Sequence, residues 1–138
     1  MKLLTVLLLL FSTALAQTPM PTPIPVQAVI IKASLGKIRA QLMADATEKH
    51  YEVKENTESK LVVQGKSEKR AEFKYGLMIT RVGHIPDERI VYRFSQQDDA
   101  IKIEATTEIV VGDATGPYKK GEKNLKKQLA ALKKQLEK

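Results

Sequence analysis

The sequence predicts an α+β fold: an antiparallel meander sheet of about five strands, packed on one face by an N-terminal and a C-terminal helix. Apolar residues recur at helical spacing near both ends of the chain, at Ile31, Leu35, Ile38 and Leu42 and again at Leu125, Leu129, Leu132 and Leu136. Between them the period falls to two, most regularly from Ile101 to Val111. Strict alternation gives a strand one buried and one wetted face, as in an antiparallel sheet covered on one side. Packing both helical stripes on the apolar face is the simplest layered solution.

The chain opens with Lys2, an apolar run from Leu3 to Phe11, and Ala14-Leu15-Ala16. That order is the pattern of a secretory signal peptide cleaved after a small residue. The apolar run is about half the ~20 residues that span a bilayer, so residues 1–16 are expected to be removed. Pro19, Pro21, Pro23 and Pro25 stand at every second position of residues 17–27. Such spacing excludes helix or central strand and suits an extended spacer. Residues 28–138 then form a single domain.

Within it, the first helix is expected at about 27–49, with Pro25 just outside its start. Gly36 costs such a helix roughly 1 kcal/mol relative to Ala. It marks either a close approach to the sheet or a break between a short strand at 28–32 and a shorter helix. Residues 51–55 and 60–64 flank the polar turn Asn56-Thr57-Glu58-Ser59 and predict a hairpin. Ala71, Phe73, Tyr75, Leu77 and Ile79 predict a third strand, with a short helix at 67–75 as the alternative. A loop at 83–87 leads to a fourth strand through Ile90, Tyr92 and Phe94, and residues 96–99 turn into the fifth at 101–111. Residues 112–117 end the sheet, and the closing helix occupies about 122–137.

The sequence contains no cysteine, so the fold rests on packing without disulfides, and lipoprotein acylation is excluded. The expected location is periplasmic or extracellular. Charge is divided sharply. Residues 17–116 carry 14 Lys+Arg and 14 Asp+Glu, whereas residues 117–138 carry eight Lys and two Glu. The positive charge of the processed chain therefore belongs to its last segment.

Motifs for chemistry are sparse. His50 and His84 have no partner at ligand spacing, and a zinc site needs three or four ligands, so neither metal nor cofactor is expected. His84, Asp87 and Glu88 could form an acid–base cluster, which supports a small hydrolase as the rival reading. Gly112 and Gly116 lack the lysine and βαβ context of a phosphate loop. Leu61-Val-Val-Gln-Gly65 is similar over five residues to the Gln-Val-Val-Ala-Gly loop of cystatins. The glutamine here follows the valines, no Pro-Trp loop trails it, and cystatins have no closing helix; strand hydrophobics followed by a glycine account for the match.

The C-terminal helix is the main candidate for a binding element. Leu125, Leu129, Leu132 and Leu136 form a docking stripe, first of all for the protein's own sheet and alternatively for another protein. The stripe follows coiled-coil spacing for only about two heptads. Its flanks hold Lys126, Gln128, Lys133 and Gln135, with no acidic partners for a parallel self-pair, and a monomer is expected. Lys119, Lys120, Lys123, Lys126, Lys127, Lys133 and Lys134 would form an outward basic ridge for an anionic partner or surface. The segment has no arginine and one aromatic, Tyr118, which argues against specific nucleic-acid recognition. The expectation is an exported, non-enzymatic binding or accessory module of the cell envelope or secretome.

Overall fold

The computed structural model describes residues 24–66 and 86–138. In chain order the described elements are β1 (Gln27–Ile31), α1 (Leu35–Glu48), β2 (Glu52–Asn56), β3 (Lys60–Lys66), β4 (Asp87–Gln97), β5 (Ala100–Val111), β6 (Ala114–Pro117) and α2 (Lys119–Leu136). The expected signal peptide, most of the proline spacer, the strand or helix at 67–79 and His84 lie outside the described residues.

All described strand pairs are antiparallel, in the order β1-β5-β4-β3-β2, with β6 also on β5. The α+β architecture read from the sequence is the one observed. β5 is the spine. One edge pairs with β4 over its whole length, from Asp87↔Val110 to Gln97↔Ala100. Its other edge is shared: β1 takes Ile101–Ala105 and β6 takes Glu108–Val111. Of the two readings left open around Gly36, the short strand and shorter helix is the one observed, and the sheet runs on past its expected end. Residues 27–31 are a strand, because Val29, Ile30 and Ile31 favour a pleated surface and Ile31 is fully buried against β5. The helix starts only after Ser34, whose hydroxyl accepts a hydrogen bond from the Lys37 amide at 3.3 Å and caps it. Likewise, residues 112–117 extend the sheet: the tight turn at Gly112 and Asp113 folds the chain back as β6.

α1 ends in a left-handed residue, His50, with φ of 60°. The His50 amide bonds the Thr47 carbonyl at 3.1 Å and the Tyr51 amide the Ala46 carbonyl at 2.8 Å. This pair of bonds is a Schellman termination, and it gives His50 a structural position.

Both helices lie on one face of the sheet. Ile38, Leu42 and Ala46 of α1 and Leu125, Leu129 and Leu132 of α2 meet Leu61, Val63, Ile90, Tyr92, Phe94, Ile101, Ile103 and Ala105 in one core. Leu42, Tyr92 and Phe94 are thus packed interior; Phe73 and Tyr75 fall outside the described residues. A polar chain clamps the two helices: the Tyr92 hydroxyl donates to Gln128 Oε1 at 3.3 Å, and Gln135 Nε2 donates to Gln41 Oε1 at 3.2 Å. Gln41 Nε2 in turn donates to Asp45 Oδ1 at 3.1 Å. Burial pushes the Tyr92 pKa well above that of an ordinary phenol, although the Gln128 bond opposes the shift.

Candidate functional site

The lysines of α2 are placed by its leucines. At 3.6 residues per turn, Leu125, Leu129, Leu132 and Leu136 share one side of the helix. The first three are each 2% exposed, and Leu136 is half-buried against the same cluster. With the leucines against β1 and β5, the opposite arc faces water. Lys119, Lys123, Lys127 and Lys134 are exposed there, Lys126 and Lys133 are exposed on the flank of the stripe, and Lys120 is half-buried. Against these seven lysines α2 holds one acid, Glu122, in its first turn. Among the described residues, the six exposed lysines make no ion pair. The helix dipole favours Glu122 at the N-terminus and Lys133 and Lys134 at the C-terminus.

Beneath the first turn of α2 lies a cluster that sequence reasoning did not assemble. Glu88 is 8% exposed. Its Oε1 accepts the Tyr51 hydroxyl at 2.6 Å and its Oε2 accepts the fully buried Thr107 hydroxyl at 2.9 Å. α2 passes directly over this carboxylate at Gly121: a methyl group there would come within 2.5 Å of Glu88 Oε2 and closer still to the Tyr118 ring. On the other side, the Tyr51 ring lies against Gly65 too closely for any side chain at that position. The cluster borders a cavity of about 210 Å³ that Lys49, Asn124 and Gln128 also line. Its signal was present in the sequence, because Glu88 shares the parity of Ile90, Tyr92 and Phe94, and Thr107 that of Ile103 and Ala105.

The far face of the sheet is polar and carries no described helix. Arg89 donates to Glu108 at 3.2 Å and to Gln64 at 3.1 Å, and Gln64 donates to Asp87 at 2.9 Å. Lys66 pairs with Asp87 at 3.0 Å. Burial acts to raise the Asp87 pKa, but the Gln64 and Lys66 contacts outweigh it and hold the carboxyl below its ordinary value. Val62, Val91 and the charged ends around them line a shallow trough of about 610 Å³. As neighbours on a strand, Asp87 and Glu88 point to opposite faces. The two acids of the expected acid–base cluster therefore sit on different sides of the sheet, each with its own partners.

At the turn between β2 and β3, Arg39 of α1 bonds the Asn56 side chain, donates to the Glu58 carbonyl at 2.7 Å and stacks 5.2 Å above the Phe94 ring. This arginine fastens the helix layer to the hairpin. Among the described residues there is no group of three or more potential metal ligands, and no helix is long and apolar enough to cross a membrane. Comparison with known proteins gives no family: no family model matches the chain, and no curated protein matches it.

Proposed function

We propose that this chain is an exported, non-enzymatic binding module of the cell envelope or secretome, and that its C-terminal helix recognises an anionic partner. One observation carries the reading. Six lysines without ion-pair partners among the described residues stand together on the solvent side of a helix whose apolar side is already occupied. A helix kept only for packing has no need of such a one-sided charge, since interspersed glutamates would stabilise it further. The N-terminal pattern of Lys2, Leu3–Phe11 and Ala14–Ala16 supports export. The hydrolase reading is weakened by the opposed faces of Asp87 and Glu88. Docking of the leucines on another protein would first require their release from this core.

The test compares the protein with a variant carrying Lys123→Gln, Lys126→Gln, Lys127→Gln and Lys134→Gln on a sulfated polyanion matrix. The unmodified chain should elute at clearly higher salt. Co-elution of the two would refute the reading, and a cooperative thermal transition in each would show that both remain folded.

A further inference from the structure

Resting on that reading, we infer that the anionic partner is the surface of an anionic phospholipid bilayer, met side-on by α2. The lysine face is convex. The two cavities described above are lined by Lys49, Lys54, Lys60 and Lys66, and no lysine of α2 contributes to either. Nothing in these sites lets the α2 lysines enclose a small anion or a single phosphate. They run from Lys119 to Lys134, about 22 Å along the axis at 1.5 Å per residue, and spread across the outer arc. The target that uses such a surface is broad, laterally continuous and negatively charged.

A lipid headgroup plane fits on three further counts. Lysine ammonium groups are compact point charges, and none of the planar forks that read phosphates bidentately is present, since α2 has no arginine. Mobile headgroups can gather around such charges without a fixed pattern. The centre of the arc is Ala130, exposed and small, so the backbone can approach a plane while flanking lysines lay their stems along it and their charges into the headgroup layer. The arc also carries no aromatic or bulky apolar side chain to insert, so its attraction to a headgroup plane rests on charge alone. A duplex or single strand of nucleic acid would be served instead by arginines and stacking rings. In this orientation the helices lie against the bilayer and the Arg89–Glu108 face of the sheet looks away from it.

The experiment is co-sedimentation of the full chain with vesicles of phosphatidylcholine alone and of phosphatidylcholine with phosphatidylglycerol. Pure phosphatidylcholine registers any contribution of the apolar Leu3–Phe11 run, so the increment due to charged lipid is read by difference. Near an anionic surface each lysine is worth about 1 kcal/mol, or about fivefold, so the four-lysine variant should lose several hundredfold of that increment. Replacing the same four by arginine should retain it, and raising salt from low to molar concentration should abolish it. Lys54→Gln with Lys60→Gln, on the far face, should leave it unchanged. An increment that survives in the four-lysine variant overturns the inference. Retention on the sulfated matrix without any increment on charged vesicles also overturns it, leaving the broader anionic reading in place. Failure on both removes both.

Discussion

Gly121 provides the sharpest test of how α2 is seated. In a helix interior, replacing glycine by alanine gains about 1 kcal/mol, and Gly121, the third residue of α2, lies in its first turn, where that gain is an upper bound. In the folded protein the new methyl meets the buried Tyr118 ring and comes within 2.5 Å of Glu88 Oε2. Neither neighbour is free to retreat. Tyr118 is 4% exposed, and Glu88 is held at both oxygens by Tyr51 and Thr107. Relieving the overlap requires α2 to lift or the Glu88 bonds to stretch. Overpacking of this kind costs about 1–3 kcal/mol, which outweighs the propensity gain.

Gly121→Ala should therefore lower the unfolding free energy by up to about 2 kcal/mol once the ~1 kcal/mol of propensity is set against the strain. Urea titration followed by far-ultraviolet circular dichroism measures this directly. A double-mutant cycle with Tyr118→Ala locates the cause, because the cost of the alanine should shrink once the ring is gone. A variant more stable than the parent would refute the seating of the first turn on Glu88.

Three further outcomes follow from the contacts. Glu88→Ala leaves the buried Thr107 hydroxyl and that of Tyr51 without their acceptor and should cost roughly 2–4 kcal/mol; Glu88→Gln, which keeps one carbonyl oxygen, should cost less in the same urea titration. Arg39→Ala should cost only about 1 kcal/mol, as exposed charged contacts do, yet hydrogen exchange of the Thr57 and Lys60 amides should quicken, and Arg39→Lys should not restore protection. The Tyr92 pKa is raised in the fold above its unfolded value near ~10, so the stability tied to the neutral phenol is complete below that value and is lost as pH rises beyond it. Urea midpoints at pH 9 and pH 11 should fall further for the parent than for Tyr92→Phe, and equal falls would show that Tyr92 titrates alike in both states.

Much of this architecture was legible because the burial pattern is simple. Ile101, Ile103, Ala105, Ile109 and their outward neighbours alternate without interruption, and the leucines of α2 hold their spacing through three turns. Residues 27–31 read from the sequence either as the start of the helix or as a short strand, because the local patterns compete. Ile31, Leu35 and Ile38 satisfy helical spacing, but Val29-Ile30-Ile31 pairs with β5, a contact seventy residues away that no local window contains. β6 was hidden for a similar reason: a four-residue strand of Ala, Thr, Gly and Pro has little strand propensity and exists because the free edge of β5 remains after β1 ends. The Glu88 cluster needed two strands and a helix terminus to be brought together. Parity alone placed Glu88 and Thr107 inward, while Tyr51 and Gly121 could be added only once β5 was known to lie beside β4 and α2 to cross above them.

The lysine face also bears on stability. Lys119 and Lys123, and Lys123 and Lys127, stand four residues apart, and like charges at that spacing destabilise a helix by about 0.2–0.5 kcal/mol per pair. No side-chain hydrogen bond caps the N-terminus of α2, and a helix of this length is marginal in water by itself. The element is thus held by its leucines against the repulsion of its lysines. Whatever screens that repulsion should stabilise the fold: the thermal midpoint should rise as sodium chloride increases from 0.01 M to 0.15 M, over which the Debye length falls from about 30 Å to about 8 Å. The rise should be smaller in the four-lysine variant, whose repulsion is already reduced. A polyanion bound to the native helix should raise the midpoint further, by mass action on the folded state. If salt instead lowers the midpoint of the parent and the variant alike, the ion pairs of the far sheet face outweigh the lysines, and the one-sided charge of α2 carries no stability cost for a partner to relieve.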